Sequence, residues 1–237
     1  MTISVFHSIS RENKVLLRGH IRTIKRDHTW EITNKTIYGL CKKYPDHEKT
    51  EEIVAKVIII GRVYAAALER GKATRHGKGD NFYRIAVPAI MRKFFSSPVT
   101  KNIIAKIRNK NTPEDAIHLH NQLMKRLKPL RKMNKVSFVS KYLHFHFPKS
   151  YYIYDSRANV GLPIVEKLFD RRIEINKTLK KTTKYGQFYT KSEFARNLIQ
   201  KSLNIKLSHR EFDSLLLFIS SKVKKTRCEN NNKQKRS

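Results

Sequence analysis

At 237 residues, with 39% hydrophobic and 10% aromatic content, the chain can build a packed core in one domain or two small ones, which excludes a disordered chain. Its 51 lysines and arginines against 19 aspartates and glutamates leave a formal net charge of +32. A folded body with that self-repulsion calls for a polyanionic partner, and the phosphate backbone of nucleic acid is the first candidate. The eight glycines and seven prolines are few, which argues against a turn-dense all-β fold and for helices.

Residues 1–30 are basic and mixed, and Val15, Leu16, Leu17, Ile21 and Ile24 fit a helix or short strands equally well. Thr33 to Lys43 reads as a short helix that stops before Pro45. Lys49 to Arg70 carries the clearest helical pattern. Thr50 can cap it, Glu51 and Glu52 suit the positive end of its dipole, and Gly71 stands at the expected stop. Lys72 to Asp80 reads as a basic loop, followed by helices at Asn81–Phe95, Thr100–Lys110 and Pro113–Leu127. The last of these has Thr112 as its cap, Pro113 in the first turn, then Glu114 and Asp115. Further helices are predicted over Ser137–Phe147, from near Ser156, over Thr190–Ser202 and over Ser208–Val223; Ser208 with Glu211 forms a capping box. Residues 224–237 read as a disordered basic tail. The expected organisation is therefore a basic N-terminal segment at 1–48 packing on a helical core at 49–223, then the tail.

Cys41 and Cys228 lie too far apart in sequence to define a disulfide framework or a zinc quartet, and a reducing cytoplasm is the expected compartment. Met1–Ser10 has no long apolar stretch, so no secretory leader is expected. The run Val57–Ile60 is far too short to span a bilayer. His118, His120, His144 and His146 lack a supporting cysteine or carboxylate pattern, so no metal is expected. No cofactor is expected either. Trp30, the single tryptophan, reads as a core residue.

The segment KPLRKMNKVSFVSKYLHFHFPKSYYIYDSRA joins two helices through a short basic hairpin, places Lys141 early in the second helix, and sets Asp155 where the next helix begins. This arrangement resembles the catalytic core of the helix-hairpin-helix DNA glycosylases, in particular bacterial 8-oxoguanine DNA glycosylase-like proteins. GRVYAAALER (Gly61 to Arg70), SKYLHFHFP and IYDSRA carry the same resemblance, which covers roughly residues 50–220. It implies an all-α, two-lobed fold. The hairpin, its helix and the helix after Asp155 would form one lobe, and the helices of 50–110 would pack against it.

The resemblance also implies the site. Lys141 would be the nucleophile and Asp155 its electrostatic partner. Lys128, Arg131, Lys132, Asn134, Lys135, Ser137 and Arg157 would bind nucleic acid. Tyr64, Tyr142, Phe145 and Phe212 would wall a pocket for a flipped base. Cleaving an N-glycosidic bond builds positive charge at the sugar C1′. A carboxylate stabilises that charge, and a neutral amine can attack C1′ and form a Schiff base. Family hairpins are glycine-rich; this one has none, so Asn134 would take the left-handed position and Lys132 and Lys135 would supply the charge. The implied function is a DNA N-glycosylase with lyase activity on a modified purine, acting on duplex DNA as a monomer, with RNA left open as the nucleic acid. The alternative is a non-catalytic helical nucleic-acid-binding protein, part of a phage-defence or mobile-element system.

Overall fold

The computed structural model describes residues 9–66, 68, 82–130, 135–169 and 183–234, with side chains described to Lys222. Every regular element among them is helical, as expected of an all-α chain, and none is long and apolar enough to cross a membrane. Gly71, the basic loop at Lys72–Asp80, and Arg131, Lys132 and Asn134 of the hairpin lie outside the described residues.

The chain forms two compact units, Thr29–Tyr154 and a second made of both ends, Met1–His28 with Asp155–Ser237. This differs from the expected organisation. The helix after the hairpin belongs with the helices of 50–110, the helix after Asp155 belongs to the other unit, and residues 1–48 divide between the two. The physical cause lies at the N-terminus. Helix α1 (Arg11–Arg26) buries Leu17 and Ile21 and packs on helices formed by the end of the chain. Ser10 caps it, accepting from the Asn13 N–H at 3.1 Å. The exposed Val15 and Leu16 blurred its periodicity in the sequence.

The central unit contains α2 (Glu31–Lys43), α3 (Thr50–Ile58), α4 (Val87–Ser96), α5 (Pro98–Asn109), α6 (Pro113–Leu127) and α7 (Val136–His146). Its core is Ile37, Ile53, Val57, Met91, Leu119, Leu123, Phe138 and Val139, all at most 2% exposed. Thr50 is not the cap of α3. Lys49 holds that place without a side-chain bond, and the Thr50 hydroxyl accepts from Arg92 Nη2 at 2.8 Å instead. Nor does the expected long helix run on as an α-helix. It widens into a π-helical turn at Ile59–Val63 and ends at Ala65, whose φ is +51°. Thr112 caps α6 as predicted, accepting from the Asp115 N–H at 3.3 Å.

In the terminal unit α1 is joined by α8 (Ser156–Leu168), α9 (Lys184–Leu203) and α10 (His209–Gln234). Helix α9 starts well before the expected Thr190, because Thr183 caps it and Tyr185, Phe188 and Tyr189 are all buried along its first turns. The capping box of α10 is present: the Ser208 N–H donates to Glu211 Oε2 at 2.8 Å, and the Glu211 N–H to Ser208 Oγ at 3.1 Å. This helix continues past Val223 to Gln234, where a disordered tail was expected. Once nucleated, a helix adds one bond per residue, and no glycine or proline interrupts 224–234.

Candidate functional site

Helix α6 ends at Leu127, a 3-10 turn follows at Lys128–Leu130, and α7 opens at Val136. Helix α7 is buried almost all round: Phe138, Val139, Tyr142, Leu143 and Phe145 are each at most 2% exposed. Lys141 projects from this helix and is only 5% exposed. Its Nζ donates to the Tyr64 carbonyl at 2.8 Å.

The carbonyl is brought there by the irregular end of the preceding helix. The π turn is closed by the Ala66 N–H donating to the Gly61 carbonyl at 2.9 Å. Ala65 then takes the left-handed conformation, φ +51°, which disfavours an L-residue by roughly 1 kcal/mol. A π turn and a left-handed alanine side by side mark a place where backbone regularity yields to a positional demand. The side chain of Tyr64 is fixed too. Its hydroxyl donates to Asn34 Oδ1 at 2.8 Å, and its ring centroid lies 4.8 Å from Phe145 and 6.3 Å from Trp30.

Asp155 opens α8 in the terminal unit. Its Oδ1 accepts from the Arg157 N–H at 2.9 Å, and Arg157 Nε lies 3.5 Å away. The carboxylate therefore has a capping role whatever else it does, and it keeps 18% of its side-chain surface exposed.

Several residues named from the sequence are placed differently from expectation. Lys135 is 4% exposed, and its Nζ donates to the Leu68 carbonyl at 2.7 Å, so it is fixed to protein backbone rather than offered to phosphate. Tyr142 is fully buried, with its hydroxyl bonded to His47 Nε2 at 2.8 Å. Phe145, at 2% exposure, is core of the central unit, and Phe212, at 0%, is core of the terminal unit. These three rings hold the interior together and offer no open face to a base; of the four expected walls only Tyr64 is half-exposed. Lys128 and Arg157 are exposed and Ser137 is half-buried. Trp30, expected in the core, is 48% exposed.

No local sequence signal marks the residues that tie α7 to the chain after it. Ser140 Oγ donates to the Ser137 carbonyl at 3.0 Å and accepts from the Tyr154 N–H at 2.9 Å. His144 Nδ1 meets the Tyr151 carbonyl at 2.7 Å, which makes Nδ1 the protonated nitrogen. Its Nε2 then accepts from the Tyr38 hydroxyl at 2.6 Å. The connector 151–154, which leads to Asp155, is thus held to the helix that carries Lys141.

A second polar cluster lies in the same unit. His47 stacks on Phe95 at 3.6 Å with ring planes 7° apart, and on His146 at 5.1 Å. Burial, then the His146 and Lys56 charges, hold His47 well below the usual imidazole range. Burial also brings His146 and His120 down to about 3. Lys56, fully buried, donates to the Tyr44 and Asp46 carbonyls at 2.8 and 3.2 Å. Burial lowers its pKa against the opposing influence of Cys41, Glu52 and Asp46, and burial raises the Cys41 thiol to about 12. Among the described residues no group of three or more His, Cys, Asp or Glu side chains is placed to hold a metal ion.

Comparison with known proteins finds no match among family models, curated proteins or solved structures.

Proposed function

We propose that the chain is a DNA N-glycosylase of the helix-hairpin-helix type, with lyase chemistry at Lys141, acting on a flipped modified purine of the 8-oxoguanine kind. The observation that carries this reading is the setting of Lys141. A buried amine stands on the helix after the basic hairpin, oriented by the carbonyl of the half-buried Tyr64 at 2.8 Å. This reading assigns the carboxylate that the reaction needs to Asp155, which caps the next helix of the chain. In the step envisaged, the neutral amine forms a bond to C1′ as the bond from C1′ to the base breaks. The base leaves with the electron pair and takes up a proton. Opening of the sugar gives an iminium on Lys141, and loss of a C2′ proton then expels the 3′ phosphate. Asp155 supplies the negative charge that stabilises the cationic sugar.

The test is borohydride trapping on duplexes that carry a panel of purine lesions. The parent is expected to give a covalent adduct and strand cleavage. Lys141→Gln is expected to lose both while binding duplex DNA nearly as well, since one charge in a chain with 51 lysines and arginines is a small part of the total. Asp155→Asn keeps a capping side chain and is expected to slow excision by orders of magnitude. Absence of any adduct from the parent across the panel rejects the enzyme.

A second reading, a helical nucleic-acid-binding protein without the chemistry, is favoured by a specific pattern. Lys56 and Lys135 are also buried lysines that donate to backbone carbonyls. On that reading Lys141 is a third such fastener. Lys141→Gln would then cost stability, and the parent would give no adduct.

A further inference from the structure

An indole nearly half exposed is unusual for the single tryptophan of a chain with a well-filled core. Trp30 precedes α2 and is 48% exposed, and its ring lies 6.3 Å from Tyr64 at an interplanar angle of 36°. From Tyr64 the row of rings continues inward to Phe145 at 4.8 Å and on to Tyr38 at 5.0 Å. The exposed indole is thus the outer end of an aromatic row whose inner members are fixed. Tyr64 is held by Asn34 through its hydroxyl, and its own carbonyl holds Lys141 Nζ. One residue therefore joins the exposed ring to the amine.

The surroundings indicate what would cover the indole. Ile32, two residues after Trp30, is 83% exposed, and Val63, next to Tyr64 in the chain, is 42% exposed. Lys35, next to Asn34, and Arg62, two residues before Tyr64, are both exposed. Glu31 is the acidic neighbour of Trp30 in sequence. A chain of net charge +32 repels a second copy of itself and attracts a polyanion. A flat, exposed apolar ring on a strongly basic chain suits a base attached to a phosphate strand, because every base has a π-face and stacking tolerates any sequence.

We propose that Trp30, backed by Tyr64, is a stacking ledge for one unpaired nucleobase of a strand engaged at Lys141. The ledge rests on the nucleic-acid part of the reading above and does not require the lyase step.

The test uses the full chain and a fluorescein-labelled, lesion-free oligothymidine. Label anisotropy reports binding, and selectively excited emission of the sole tryptophan reports stacking. The single strand is expected to quench Trp30 as it binds, and a fully paired duplex of the same length to quench it much less. Trp30→Ala is expected to weaken single-strand binding roughly 5- to 100-fold, and Trp30→Phe, which keeps a ring, by no more than about threefold. Binding by anisotropy with Trp30 emission unchanged overturns the ledge and leaves the nucleic-acid reading standing. No binding to either oligonucleotide overturns both. A Trp30 emission shift that depends on protein concentration alone, with dimers in sedimentation, overturns the ledge in favour of a second copy of the chain. Borohydride trapping on lesion duplexes remains a separate readout, so failure of the lyase and failure of the ledge are told apart.

Discussion

Among the described residues the two units show their cations in different settings, although the central unit also has an ion pair, Lys49 with Glu52 at 4.0 Å. The terminal unit pairs its cations with carboxylates: Arg210 with Asp213 at 2.7 Å, Arg196 with Glu193 at 3.2 Å, Lys25 with Glu211 at 3.4 Å and Lys191 with Glu166 at 3.6 Å. The central unit buries lysines against backbone carbonyls, at Lys56, Lys135 and Lys141, and surrounds them with histidines and aromatic rings. A carbonyl that accepts from an ammonium N–H fixes where a buried amine sits. The greater sensitivity to acid is expected of the central unit, where three buried histidines are held below the usual imidazole range.

That contrast sets the largest expected effect on stability. His47, His120 and His146 are buried in the central unit and held neutral by burial, the last two with pKa about 3. In the terminal unit burial lowers His209 to about 4, and burial, then Lys222, lowers His20. A histidine whose folded pKa lies below its unfolded value near 6.5 contributes stability that is fully present above about pH 6.5. That contribution is lost as pH falls toward the folded pKa, because the unfolded state takes up the proton first. By about pH 4.5 the loss is of order 2–3 kcal/mol for each of His120 and His146. His146 Nε2 is buried with no hydrogen-bond partner among the described residues, so a proton added there meets no acceptor. Urea midpoints followed by Trp30 emission, which reports on the central unit, should fall steadily between pH 6.5 and 4.5. A midpoint constant across that interval would remove the contrast.

The second effect tests the terminal unit. Gly161 on α8 lies so close to α10 that a Cβ placed there would sit 2.5 Å from the Leu216 carbonyl oxygen. The obstacle is backbone, which cannot turn aside as a side chain can. Gly161→Ala is expected to lower stability by about 1–3 kcal/mol, seen as a lower thermal midpoint in far-UV circular dichroism. If the two units are energetically separate, the low-temperature part of a split melt should leave Trp30 emission unmoved. An unchanged midpoint would mean that α8 and α10 are not held at that approach.

These differences also mark how far the sequence was legible. Helix α6 and the start of α10 were readable because Thr112 with Pro113, and Ser208 with Glu211, are local signals confined to one turn. Lys141 and Asp155 were singled out by a resemblance in the flanking strings, not by geometry. The partition at Tyr154 was not readable, because it depends on α1 packing with helices formed at the far end of the chain. The π turn at Ile59–Val63 was hidden for another reason: one turn of i→i+5 bonding is too short to imprint a pattern of its own on the apolar residues. Lys135 looked like a phosphate ligand because a lysine in a basic segment carries no mark of burial; its acceptor, the Leu68 carbonyl, is distant in sequence.

The smallest effect bears on the bend that positions Lys141. Ala65 is exposed, so its methyl group contributes little packing, yet it holds φ +51°, where an L-residue is disfavoured and glycine is not. Ala65→Gly removes that strain in the folded state and adds freedom to the unfolded chain, and the two oppose each other. Relief of a left-handed alanine amounts to about 1 kcal/mol, and the added unfolded-state entropy to about 0.4–1 kcal/mol. The net change should be a gain of no more than about 0.5 kcal/mol. Ala65→Val is the sharper partner, because a β-branched residue at positive φ is a true outlier. It should cost about 1–2 kcal/mol and, by displacing the Tyr64 carbonyl, alter the borohydride-trapping rate while duplex binding holds. If both variants leave stability and trapping unchanged, the bend is incidental and α7 alone positions Lys141. A trapping rate that changes with Val but not with Gly would assign the positioning of the amine to the Tyr64–Ala65 bend.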